Sequence, residues 1–261
     1  MSGKTVLITG AGSGIGAALT VEADRLGHST ILVGRRAEAL QATAARLRQP
    51  HRIIAADLTT PEGRVRITDT VTGAGLDILI NNAGMVVAGP VGEITDDQIT
   101  AALALNVAAP LALTRALLPA LVRSKGQVVN MGSVFGDIGF PFFTLYSTTK
   151  FALRGFSEAL RRELAPQSVA VTYIAPRATR TEAAQNFHKL IGPMAMALDT
   201  PEAVARHAWR AITARKREQF PPTRERLFVA LQRRWPGLID KNLIRLARDP
   251  AVIAAAKDTR S

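Results

Sequence analysis

Short apolar runs, each closed by glycine or polar residues and followed by an amphipathic stretch, set the rhythm of this chain. Residues 4–9 read as a buried strand, residues 9–16 as a glycine-rich turn, and Ala17, Ala18, Leu19 and Val21 as the inner face of a helix that stops at Gly27. The alternation repeats down the sequence. Residues 30–34, 52–57, 77–84 (running into a polar-glycine turn), 126–133 and 169–176 are expected strands, and 218–222 a short seventh. Helices are expected over 37–47, after the start signal Thr59-Thr60-Pro61, from Asp96 with Pro110 and Pro119 as kinks or boundaries, and over 204–215. One more should begin after Pro141 with Thr144 as N-cap, carrying Phe151, Leu153, Phe156, Ala159, Leu160 and Leu164 at helical spacing. No linker, repeat or low-complexity segment interrupts this order. Strand–helix alternation of this kind predicts α/β architecture: a single-domain, doubly wound parallel sheet with helices on both faces. Residues 1–222 form its core and 223–261 a helical C-terminal extension of the same domain.

Ligands of such sheets bind outside the carboxyl ends of the strands. The first strand ends in Gly10, Gly14 and Gly16, with Ser13 and Ile15 between them. This spacing lets backbone approach a phosphate closely at the N-terminus of a helix, where free N–H groups and the helix dipole favour an anion. It is a T-G-x-x-x-G-x-G pattern rather than G-x-G-x-x-G. At the end of the second strand an acid would hold the 2′-hydroxyl of NAD, but the chain has Gly34-Arg35-Arg36. Guanidinium groups suit a 2′-phosphate, so NADP is the expected cofactor, with Arg35 better placed than Arg36, which begins the next helix. The third strand ends at Asp57-Leu58, the fourth runs into Asn81-Asn82-Ala83-Gly84, the fifth ends at Ser133 and the sixth at Pro176. Tyr146 and Lys150, four apart on one helix, share a face. An ammonium beside a phenol favours the phenolate, so the spacing predicts a lowered tyrosine pKa and a group able to trade a proton with a carbonyl or alcohol oxygen.

In order and spacing, Thr9-Gly10-x-x-x-Gly14-x-Gly16, Asp57-Leu58, Asn81-Asn82-Ala83-Gly84, Asn106, Ser133 and Tyr146-x-x-x-Lys150 closely resemble the short-chain dehydrogenase/reductase family, over roughly residues 4 to 220. The resemblance implies a Rossmann-like fold. It also implies that Tyr146 is the proton donor and acceptor, that Lys150 holds the nicotinamide ribose, that Ser133 bonds the substrate oxygen, and that Asn106 holds a water in a relay to Lys150. Asp57 would meet the adenine, Asn82, Ala83 and Gly84 the adenosine ribose, and Thr181, with Pro176 and Arg177, the nicotinamide end or diphosphate. Arg177 stands where the family usually has glycine. A homo-oligomer through the helices around Asn106 and Tyr146 is implied as well. The alternative functions are an NADP(H)-binding sensor and a membrane-associated binding protein with little turnover.

Composition narrows the classes. The chain of 261 residues has no cysteine, which excludes disulfides and thiolate chemistry, and its 4 histidines are scattered, so no metal site is expected. No signal peptide is visible and no uncharged apolar run long enough to span a bilayer, so a cytoplasmic protein is expected. Residues 134–143 and 185–196 are rich in Phe, Ile, Leu and Met, which suits an apolar carbonyl or secondary-alcohol substrate, the second segment forming a lid near 180–200. Of the net +12, residues 201–261 carry +8, from 14 Lys/Arg against 6 Asp/Glu. There Leu227, Phe228, Leu231 and Trp235 share a helical face opposite Arg226 and Arg233. Leu238, Ile239, Leu243, Leu246 and Ala247 lie among Lys241, Arg245 and Arg248. Such helices either pack on the domain and cover the pocket or lie on an anionic membrane surface, with the protein peripheral to that membrane. Aromatic–basic interleaving is absent, and nucleic acid is not an expected partner.

Overall fold

Residues whose side chains are apolar on both sides of the backbone form the middle of the sheet. In the computed structural model, which describes residues 3–221 and 224–258, the strands are β1 (Thr5–Thr9), β2 (Ser29–Gly34), β3 (His51–Ala55), β4 (Ile78–Asn81), β5 (Gln127–Met131), β6 (Ala170–Ile174) and β7 (Glu218–Gln219). All pair in parallel, in the order β3-β2-β1-β4-β5-β6-β7. Val6, Leu7 and Ile8 of β1 and Ile78, Leu79 and Ile80 of β4 are buried on both faces, as a covered parallel sheet requires. The strand order reverses between β1 and β4, which opens a crevice at their carboxyl ends.

The helices are α1 (Gly14–Arg25), α2 (Ala37–Ala44), α3 (Pro61–Ala74), α4 (Asp96–Leu103), α5 (Ala109–Arg123), α6 (Thr144–Leu164), α7 (His188–Ile191), α8 (Pro201–Thr213), α9 (Arg224–Arg234), α10 (Pro236–Arg248) and α11 (Pro250–Lys257). On one face α1, α2 and α8 bury Leu19, Leu40 and Trp209 against Val6, Ile8 and Leu32, and the Trp209 indole N–H donates to the Leu19 carbonyl at 2.9 Å. On the other face Ile67, Leu113, Leu117 and Leu160 of α3, α5 and α6 cover Leu7, Ile31, Leu79 and Val128. Thr60 caps α3 by accepting from the Gly63 N–H, with Pro61 at its first turn, and Thr95 and Gln98 form a capping box on α4. A π-helical segment, Ala104–Ala108, joins α4 to α5. Pro110 lies in the first turn of α5, and Pro119 is accommodated inside it.

Four expectations are corrected. The helix expected over 37–47 ends at Ala44. Thr144 is not an N-cap: Phe143 occupies that position without a side-chain cap, and its carbonyl accepts from the Ser147 N–H. Phe143 is fully buried between the rings of Phe135 and Phe187, so aromatic packing fixes where α6 begins. The helical stretch Asp96–Arg123 is, by length and composition, long and apolar enough to cross a membrane. It is a layer of this fold, packed on α3, α6, β4 and β5. Finally, the extension turns an inner face to the domain that only partly matches the expected apolar stripes. Val229, Ile239 and Leu243 pack on Tyr173 and Phe220, while Leu246, Val252 and Ala256 pack on Phe143, Phe187 and Leu190. The expected boundary at residues 222 and 223 lies outside the described residues.

Candidate active site

The glycine turn after β1 is built for a close backbone approach. Gly14 has φ 52°, and a Cβ there would meet Thr181 Cγ2 at 2.8 Å. A Cβ on Gly16 would run into the Gly10 carbonyl. The turn is held from β4: the Asn82 carboxamide donates to the Thr9 carbonyl at 2.9 Å, and Thr9 Oγ1 accepts from the Asn82 and Ala83 N–H groups at 2.9 and 3.0 Å. The result is a cradle at the N-terminus of α1 that fits a dinucleotide diphosphate. Around it the Asp57 carboxylate accepts from the Thr59 hydroxyl and N–H, which hold its pKa below the usual range, with Arg35 adding to the effect. Leu58 is buried in the core and could serve a cofactor only through its main chain. Arg35 and Arg36 are both exposed at the end of β2. Arg36 reaches back to Ser13 Oγ at 3.4 Å and pairs with Glu182 at 2.7 Å. The arginine expected only to begin α2 is therefore the one whose guanidinium touches the glycine turn.

The catalytic candidates converge one strand further along. Ser133 follows β5 and caps the 3₁₀ turn Val134–Gly136; its Oγ accepts from the Phe135 N–H at 3.1 Å, which leaves its own proton to be donated. Tyr146 lies partly buried in the first turn of α6, opposite Ser133. Its phenol is pushed up to about 12 by loss of hydration, with the Ser133 hydroxyl pulling the other way. The predicted lowering by Lys150 is thus overturned. Lys150 Nζ donates to the Met131 carbonyl at 2.9 Å and stands 5.6 Å from the tyrosine ring centre; burial brings its own pKa down to about 8. At neutral pH the site presents a neutral phenol beside a protonated lysine, the state suited to giving a proton to oxygen. Asn106, buried in the π-helical segment, bonds both the N–H and the carbonyl of Met85, at 2.8 and 2.9 Å, and donates to Thr149 Oγ1 at 3.1 Å. Thr149 in turn donates to the Tyr146 carbonyl. The Asn106 carboxamide therefore lashes α6 to the strand-end loop, and π-helical irregularities of this sort recur at functional sites.

A cavity of about 700 Å³ joins these groups. Ile15, Asn82, Gly84, Ser133, Tyr146, Lys150, Pro176, Arg177 and Thr181 line it, and Phe135, Phe140, Phe143, Phe187, Met194, Met196 and Phe228 give the rest of its wall an apolar, aromatic character. The segment after Thr181 contributes Ala183, Phe187, Met194 and Met196 to the wall, a bridge between Thr179 and Asp199 joins its two ends, and Phe187 and Leu190 pack with Val252 and Ala256 of α11. Arg177 has no positive φ, so the absent glycine costs no backbone strain. Its guanidinium clamps Asp199 at 2.6 Å and Glu225 of α9 at 3.2 Å, tying the end of the segment after Thr181 to the extension.

Sequence reasoning missed Tyr173. Its hydroxyl donates to the Ser133 carbonyl at 3.1 Å and accepts from the Ser133 N–H at 3.3 Å, under the guanidinium of Arg154. Arg154 pairs with the buried Asp137 at 2.6 Å, and Arg233 of α9 pairs with the same carboxylate at 2.8 Å. A signal was available, since the chain has only 2 tyrosines and both meet at Ser133. The pocket-lining roles of Glu225 and Phe228 had no such signal, because they depend on how α9 docks.

A family model described as short chain dehydrogenase matches residues 4–190. Among curated relatives, serine 3-dehydrogenase of Agrobacterium fabrum is 35% identical over 208 residues, 74% of this chain and 83% of its own. A dehydrogenase/reductase SDR family protein 7-like of Anopheles gambiae is 33% identical over 188 residues, 67% of this chain; the match spans only 59% of that longer protein. Among solved structures, a short-chain dehydrogenase from Sphingobium yanoikuyae in complex with NADPH superposes with TM-score 0.76 at 32% identity, covering 94% of this chain and 96% of that one. Doubly wound sheet, strand-end site and these matches agree: the chain belongs to the short-chain dehydrogenase/reductase family of oxidoreductases.

Proposed function

We propose that the protein is an NADP(H)-dependent oxidoreductase that interconverts a carbonyl and a secondary alcohol on a bulky apolar small molecule. The observation that carries this reading is the Ser133–Tyr146–Lys150 set opening onto a cavity walled by phenylalanine and methionine. The nicotinamide would supply or take the hydride. The chain's own residues do the rest. The glycine turn cradles the diphosphate, Arg35 and Arg36 with Ser13 hold the 2′-phosphate, Asp57 meets the adenine, and Lys150 holds the nicotinamide ribose. Ser133 and Tyr146 hydrogen-bond the substrate oxygen as negative charge develops on it, and the neutral Tyr146 phenol delivers the proton. A neighbour solved with NADPH supports this cofactor. The relative named serine 3-dehydrogenase acts, by its name, on a polar molecule; the aromatic wall here favours an apolar one. Exposed Ile99 and Leu103 on α4 and Phe151 on α6 provide the apolar face for a homo-oligomer.

The test is NADPH oxidation, followed by absorbance, against aldehydes and ketones of increasing chain length and ring size. Turnover should rise with apolar bulk and be much weaker with NADH. Turnover confined to short polar carbonyls, or none with any member of the panel, would overturn the substrate assignment.

A further inference from the structure

We propose that the outward faces of α9 and α10 form a docking surface for an anionic lipid bilayer, beside the mouth of the substrate cavity. Both helices use one side to hold the domain. On α9 this side carries Val229, in the core, and Arg233, paired with Asp137; on α10 it carries Ile239, Leu243 and Leu246. The opposite side is apolar and left uncovered. Leu227 is 60% exposed, Trp235 57%, Leu238 55% and Ile244 50%. Leaving large side chains in water at this density has a cost that burial in an acyl boundary would remove.

Charge selects the occupant. Arg234, Lys241, Arg245 and Arg248 are exposed among these apolar residues, and none of the four belongs to an ion pair among the described residues. On α10 the residues Leu238, Lys241, Ile244, Arg245 and Arg248 fall on one side of the helix by their spacing. The acids of the two helices are Glu225, held by Arg177, and Asp240. A second copy of this chain would bring the same cations against these and be repelled. A nucleic acid would satisfy the charges but not four exposed aliphatic and indole side chains. Lipid phosphates over an acyl layer satisfy both. Phe228, next to Leu227, is 40% exposed and also lines the cavity. The surface is thus continuous with an apolar route to the site, by which a membrane-dissolved molecule could enter without crossing water.

The experiment is flotation of the full-length protein with mixed phosphatidylcholine–phosphatidylglycerol vesicles and with pure phosphatidylcholine vesicles, at low and high salt. The protein should float with the anionic vesicles at low salt, weakly with neutral ones, and less as salt rises. Lys241→Glu with Arg245→Glu should lower the bound fraction by at least about tenfold, since each basic residue near an anionic surface contributes roughly fivefold. Trp235→Ser with Leu238→Ser should lower it comparably. Circular dichroism and NADPH titration of each variant check that the core is intact, and none of these four positions lies in the catalytic or cofactor site. Absence of flotation at low salt, or flotation unaffected by either variant pair, would overturn the proposal. So would sedimentation showing that the variants dissociate an oligomer that does not float.

Discussion

At the scale of single residues, the site is decided by which groups lose their water. Tyr146 and Lys150 have the spacing of a mutually tuned pair, yet burial moves the phenol up to about 12 and the ammonium down to about 8. Both shifts favour the neutral form. At neutral pH the lysine is largely protonated and it is half so near pH 8, while the phenol keeps its proton well beyond that range. Carbonyl reduction should therefore fall as pH rises through about 8, where Lys150 loses its charge, rather than near the phenol's own titration. A pH–rate profile checks this, and a reductase rate level to pH 10 would contradict it. Ser133 depends on Tyr173 for its position, through bonds to both its N–H and its carbonyl. Tyr173→Phe leaves the buried Ser133 N–H without its partner, at a cost of about 1–3 kcal/mol, while the Ser133 carbonyl keeps the Gly136 N–H. It should lower kcat more than it raises KM, because in the proposed reaction Ser133 serves the reacting oxygen. An equal effect of Tyr173→Phe on stability alone, with kcat unchanged, would make the contact merely structural.

Among the elements, those legible in the sequence were the ones whose signals are local. The seven-strand rhythm, the glycine turn, the Thr60-Pro61 start of α3 and the strand-end Ser133 all follow from neighbours in the chain. The start of α6 did not, because Phe143 is fixed by rings from 135 and 187 rather than by a capping side chain. The tyrosine shift did not either: spacing gives proximity along a helix, while hydration depends on what covers it. Arg36 is a third case, since its contact with Ser13 arises from how β2 meets the turn after β1. That junction carries a cofactor prediction. Replacing Arg35 and Arg36 by alanine should weaken NADPH binding by at least about tenfold, given roughly 1.5–3 kcal/mol for hydrogen bonds to charged groups. NADH binding should change little. Equal losses for the two cofactors, measured by fluorescence titration, would reduce these arginines to surface charge and the Arg36–Glu182 pair to a loop contact.

For the whole molecule, the extension belongs to the architecture of the site even though it lies beyond the matched family segment. Val229, Val252 and Ala256 are buried against the strand-end loops and the segment after Thr181; Arg177 and Arg233 bolt α9 to the site. Removing α9–α11 should lower the melting temperature by on the order of 10 °C, as expected when several buried apolar side chains lose their cover. An unchanged melting temperature would show that the extension merely rests on the domain. What the fold achieves as a unit is the delivery of Tyr146 to one strand-end cavity together with a cradle for a dinucleotide. The direct test of that claim is single-site: Tyr146→Phe, purified, folded and saturated with NADPH, assayed on the best ketone of the panel. NADPH affinity should stay within about threefold while turnover falls by at least about 10²-fold, the loss expected when a general acid is removed. Turnover near that of the unmodified enzyme would contradict the assignment of Tyr146 as the proton donor.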